Sequence, residues 1–151
     1  IWLESIIVRE ACNRATDADI AELNANIHAA IAAAKEDDLA KCAAKHIEFH
    51  SILARITGNP IIMTVMNSIL EVLGHFVTKI GYYDNTFVIP SRRRFMKHLV
   101  EGDANAAIAE METSLKRLQR TYLSLIDAPA SEALASKSDA NRSQRARKKS
   151  K

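Results

Sequence analysis

A chain of 151 residues with 48% hydrophobic and 26% charged residues is long enough to bury one core, and only four glycines, three prolines and 5% aromatics argue against a turn-rich sheet protein. The net charge of +3 is unevenly spread, because residues 137–151 carry seven Lys/Arg against one Asp and leave residues 1–136 at −3. The folded part is therefore mildly acidic, and residues 128–151 are expected to form a disordered basic tail that solvates the chain or touches acidic surfaces through unspecific charge contacts.

Cys12 and Cys42 stand alone, without C-x-x-C spacing, which fits a reducing compartment and gives no disulfide framework. No apolar run reaches the 18 or so residues of a membrane span, and no signal peptide is present, so a cytoplasmic protein without a membrane partner is expected. The chain opens at IWLESII without an initiator Met, as a fragment of a longer protein would.

Six helices follow from the pattern. The first, to about Arg14, carries Leu3, Ile6, Ile7 and Glu10 at helical spacing, and Thr16 or Asp17 can cap the second. The second shows Ile20, Leu23, Ile27, Ala30, Ile31 and Ala34 on one stripe. Asp37 is placed to cap a third, whose inner face runs Leu39, Cys42, His46, Phe49, His50, Leu53, Ile56. Gly58 then ends it and Pro60 starts a fourth. That helix places Ile62, Val65, Met66, Ile69, Val72, Leu73, Phe76 and Ile80 on an apolar stripe, with a polar one through Thr64, Asn67, Ser68, Glu71, His75 and Thr78. GYYDNTFVIP reads as a loop. Ser91 can cap a short fifth helix, and Asp103 a long sixth with a seam of Ile108, Met111, Leu115, Leu118, Tyr122 and Leu125.

Four polar residues fall on inner faces. His46 and His50 lie one turn apart on the third helix, Arg92 shares the spacing of Phe95, Met96 and Leu99, and Ser114 that of Met111, Leu115 and Leu118. Each has a plain reading as a hydrogen-bonded core histidine, a snorkelling arginine or a serine bonded to its own helix. Their coincidence on three helices is what suggests one pocket. Glu48 points away from the histidine pair, Glu110 lies at the edge of its seam, and the H-E-x-x-H pattern is absent, so no good inward carboxylate and no catalytic constellation is expected.

In ordered signatures over Leu3 to Ile126 the chain resembles the FCD effector-binding domain of the FadR subfamily of GntR transcription regulators. Leu3-Glu4 followed by ATDADIAEL, HIEFHSILARITGNP, and RRRFMKHLVEGDANAAIAEMETSL with Gly102-Asp103, Ala107 and Met111 in register carry the resemblance. It implies an all-α, antiparallel bundle of six to seven helices over residues 1–127, usually dimeric, behind an N-terminal winged helix-turn-helix that binds DNA and is missing from this chain.

In that family the pocket often holds a divalent metal on one Asp and three His, with organic acids bound at the metal. Only His50 matches here. His46 stands at the Asp position, and Arg92 and Ser114 at the other two His positions. A guanidinium donates five N–H groups, accepts nothing and repels a cation. The expectation is therefore direct binding of a carboxylate-bearing effector by His46, His50, Arg92 and Ser114, with no cofactor. If Zn or Ni is held, His46 and His50 are its ligands. The chain is expected not to be an enzyme; the rival readings are a metal-dependent helical-bundle enzyme and a plain oligomerisation module.

Overall fold

A computed structural model describes residues 1–80 and 85–127, and within them the chain is six α-helices without a strand: α1 Trp2–Arg14, α2 Asp17–Lys35, α3 Leu39–Ile56, α4 Pro60–Ile80, α5 Val88–Val100 and α6 Ala104–Asp127. The expected basic tail, residues 128–151, and the first part of the GYYDNTFVIP loop, residues 81–84, lie outside the described residues. The chain divides into two compact units. The first is Ile1–Arg117; the second begins at Leu118 and holds, among the described residues, the last turns of α6.

The connections explain why neighbouring helices fold back on one another. Three residues join α2 to α3 and α3 to α4, and each of these pairs reverses and packs side by side, whereas α1, joined to α2 by two residues, packs against α3 and α5. Thr16 caps α2 through a reciprocal box with Asp19, whose backbone N–H donates to the threonine hydroxyl while its carboxylate accepts from Thr16 N. Gly58 adopts φ +65° after α3, a conformation that costs glycine nothing, and the Asn59 side chain then accepts from the first free N–H groups of α4. Asp103 caps α6 through the N–H of Ala106.

Two expected caps are displaced, by one residue at α3 and by four at α5. Asp38, not Asp37, caps α3 by accepting from Lys41 N, and Asp37 itself takes φ +61° to turn the chain, a strained conformation that aspartate tolerates better than most residues. Helix α5 starts at Val88 rather than after Ser91, because Pro90 within the first turn removes an N–H that the helix does not use. Ser91 is thereby freed from capping and buried.

The core is built where the inner stripes meet. Ile7, Val8, Ala11, Leu23, Phe49, Leu53, Phe95 and Met111 are all but sealed from solvent, and Phe49 meets Phe95 edge to face at 5.7 Å. Helix α4 departs from this pattern. Met66, Leu70 and Val77 face inward, but Ile61, Val65, Ile69 and Val72 are 45–73% exposed, so the single stripe read from the sequence splits into a packed face and an open one. By length and composition α4 is also apolar enough to cross a membrane, contrary to the sequence reading, with a mean hydropathy of 1.5 over its best 18 residues. The polar stripe Thr64, Asn67, Ser68, Glu71, His75 and Thr78 lies exposed.

Candidate functional site

The inner positions of α1, α3 and α5 converge on a buried row of polar groups. Arg92 on α5 is 4% exposed, and its Nη2 donates to His50 Nε2 across 2.7 Å. A nitrogen that accepts from a guanidinium carries no proton, so His50 holds its proton on Nδ1. That nitrogen lies 2.6 Å from Oε1 of Glu4 on α1, a close approach of the imidazole dipole to the carboxylate rather than an aligned hydrogen bond. Glu4 is itself 7% exposed. The row is Glu4, His50, Arg92: an anion, an uncharged imidazole and a cation.

The arginine is held by more than charge. Its guanidinium carbon sits 3.9 Å from the centre of the Phe49 ring, and Nη1 reaches the sulfur of Met111 at 3.7 Å. Burial pushes Arg92 down to about 10, with the Glu4 charge opposing it, so it stays protonated at neutral pH. Burial alone would raise the Glu4 carboxyl; His50 and then Arg92 outweigh it and hold the group below the usual carboxylate value. Yet the row is imperfectly paired. Among the described residues, Oε2 of Glu4 and Nε of Arg92 are buried without a hydrogen-bond partner, which costs free energy at both ends.

His46 stands to one side. Its Nε2 lies 3.4 Å from Cys42 Sγ, and burial, followed by the charge of Arg92 and the presence of His50, lowers it to about 4. It is neutral at physiological pH. His46 also lines an open groove of about 400 Å³, together with Lys35, Cys42, Asn85, Thr86 and Arg93. Ser114 is buried at 7%, but it hydrogen-bonds to none of Glu4, His46, His50 or Arg92.

Of the four residues singled out from the sequence, the structure places His50 and Arg92 in direct contact, His46 beside them, and Ser114 buried but unbonded to the rest. The sequence reading missed Glu4. The signal was present, since Glu4, Ile7, Val8 and Ala11 occupy i, i+3, i+4 and i+7, the spacing that singled out Arg92. The stripe through Leu3, Ile6 and Ile7 is off by one position, and Ile6 is exposed. The expectation of no inward carboxylate is corrected accordingly. Glu110 is also less peripheral than its place on the seam suggests: it accepts from the Ser91 hydroxyl at 2.6 Å and from Arg94 through two bonds of 2.9 Å.

The FCD domain profile matches residues 1–117, which span the whole first unit. The chain belongs to the FCD domain family. Among its relatives, an HTH-type transcriptional repressor NanR of Klebsiella aerogenes is 27% identical over 129 residues, covering 83% of this chain and 49% of the repressor. The NanR repressor of Edwardsiella tarda is 38% identical over 71 residues, or 47% of this chain and 26% of that protein. A solved structure of Streptococcus agalactiae GntR matches the fold with a TM-score of 0.70 at 22% identity, over 80% of this chain and 54% of that one. This FCD domain spans about half the length, or less, of the relatives it matches.

A divalent metal, which the family resemblance implies, does not fit these residues. Both ring nitrogens of His50 are engaged, Nε2 by Arg92 and Nδ1 against Glu4, so coordination would require breaking one contact. A cation bound to His50 Nε2 would lie beside the Arg92 guanidinium, and like charges at that range repel strongly in a low-dielectric interior. Among the described residues no three of His, Cys, Asp or Glu are arranged to hold an ion.

Proposed function

We propose that this FCD domain is the effector-sensing and dimerisation half of a cytoplasmic GntR-type transcription regulator that recognises a small anionic metabolite without a metal. The observation that carries the reading is Arg92: a protonated guanidinium, 4% exposed, at a position where the fold gathers polar groups from three helices. A carboxylate offers two oxygens to such a fork, and burial strengthens the pair. His46, His50 and Ser114 complete the proposed site, and the groove beside His46, with Lys35 and Arg93 on its wall, supplies an approach of matching charge.

The relatives are named HTH-type repressors and are about twice as long as the matched region, which supports a DNA-binding domain in the remaining length. Effector binding would bias the bundle between two arrangements that hold paired DNA-binding domains at different spacings, with leverage limited to the ligand's differential affinity for the two. The test is operator binding by the full-length regulator. A carboxylate that binds this domain should change operator affinity about fivefold or more. A ligand that binds tightly and leaves operator affinity unchanged would overturn the mechanism.

The dimer is proposed to form through α4. Ile61, Val65, Ile69 and Val72 lie along one exposed face, and the 21-residue helix carries only Glu71 and Lys79 as full charges. A charge-poor, apolar helix face that can meet its own copy about a two-fold axis has the composition of an interface core.

A further inference from the structure

The row of Glu4, His50 and Arg92 already contains an anion, and it comes from the helix that opens the chain. We propose that Glu4 is the resident counter-ion of this site, and that an anionic effector binds in competition with it and loosens the first turn of α1. The inference rests on the reading of Arg92 as the effector's anchor.

Charge and geometry carry it. With Arg92 protonated and His50 uncharged, the three residues sum to zero. A second carboxylate reaching Arg92 makes the site net negative, and two like charges in a buried space repel strongly enough that one must leave or be weakened. Glu4 is the one poorly held. Its Oε2 has no hydrogen-bond partner among the described residues, its Oε1 only an unaligned contact with the uncharged imidazole, and it faces Arg92 across that ring rather than through a direct bond. Arg92, for its part, has Nε unpartnered, so a ligand that engages the fork gains bonds that Glu4 does not make.

The consequence is local because α1 is anchored unevenly. Ile7, Val8 and Ala11 are fully buried and hold the helix to the core from its second turn onward. In the first turn Glu4 is the one buried side chain: Leu3 is only partly buried against the core, Trp2 is 79% exposed, and Ser5 donates to Glu112 of α6 at 3.0 Å. Release of Glu4 loosens this turn without unfolding the bundle. In this way occupation of the site is converted into a change in the first turn of α1.

The experiment titrates acetate and inorganic phosphate, as the smallest carboxylate and phosphate probes, onto the wild-type chain and onto Glu4→Gln and Arg92→Gln, reading affinity by calorimetry and backbone hydrogen exchange over residues 1–10. In the wild type, saturation with the bound probe should speed exchange in that segment about fivefold or more while the rest of the core is unchanged. Glu4→Gln should bind the probe about fivefold tighter or more, with fast exchange before any probe is added. Arg92→Gln should bind neither probe. Equal or weaker binding by Glu4→Gln, or unchanged exchange in the wild type on saturation, overturns the counter-ion role while loss of binding in Arg92→Gln still supports the anchor. If neither probe binds the wild type or Glu4→Gln, or if Arg92→Gln binds as well as the wild type, the anchor falls and the counter-ion role with it. The wild-type exchange measurement stands even if a variant fails to fold.

Discussion

Arg92 and His50, 42 residues apart in the chain, are joined by a 2.7 Å hydrogen bond in which the guanidinium donates to the imidazole Nε2. This contact ties α5 to α3 and fixes the imidazole tautomer, leaving the proton on the side of Glu4. It also occupies one of the two imidazole nitrogens through which His50 could ligate a metal.

The first prediction concerns stability. Removing one partner of a buried charged row leaves the other uncompensated, so Arg92→Leu should destabilise the fold by about 3–5 kcal/mol in urea unfolding. Arg92→Lys should cost less but still more than a surface change, because an ammonium cannot reproduce the contacts to His50, Phe49 and Met111 together. The double variant Glu4→Leu/Arg92→Leu should recover part of the loss. A strictly additive double variant would contradict the coupling of the two residues.

Acid sensitivity follows from His46. Its folded pKa of about 4 lies below the usual 6.5, so between these values the unfolded chain binds a proton that the folded chain refuses. Stability is therefore full above pH 6.5 and falls as pH drops toward 4, by on the order of 3 kcal/mol at most if the whole shift is expressed. The Glu4 carboxyl, depressed in the fold, contributes stability that is present above its unfolded pKa and is lost at still lower pH. Melting temperature against pH should show the upper step in the wild type and lack it in His46→Gln. An identical profile in the variant would remove His46 as the cause.

Much of this was legible from spacing alone, for a physical reason. Burial selects residues at i, i+3, i+4 and i+7, and that rule places His50 and Arg92 correctly because each falls on a strongly apolar stripe. It lost Glu4 because α1 carries Ile6 on its exposed side, which blurs the stripe by one position. It could not separate the two apolar faces of α4, since Val65 and Met66 look alike in hydrophobicity and only packing against the rest of the bundle tells which is covered. The misplaced caps at Asp37 and Ser91 have another origin. At α3 the neighbouring Asp37 and Asp38 have equal capping ability and the turn geometry decides, whereas α5 begins at Val88 behind Phe87, with no side-chain cap, because Pro90 is tolerated in its first turn.

The open face of α4 predicts self-association. Val72→Glu, at a position 70% exposed, should convert a dimer to a monomer at micromolar concentration by light scattering, with the melting temperature of the monomer nearly unchanged. A wild-type chain that is monomeric and instead binds neutral lipid vesicles through this helix would contradict the dimer.

The central claim is that Arg92 takes the place of a metal in binding an anionic effector. It is tested most directly by a thermal-shift screen of organic acids, sugar acids and acyl compounds in the presence of a strong chelator, with wild type and Arg92→Gln side by side. At a concentration about a hundredfold above its Kd, a true ligand should stabilise the wild type by roughly 2.7 kcal/mol, a shift of several degrees, and leave Arg92→Gln unmoved. Stabilisation that appears only when Zn or Ni is restored, and that is lost in His50→Ala, would contradict the account.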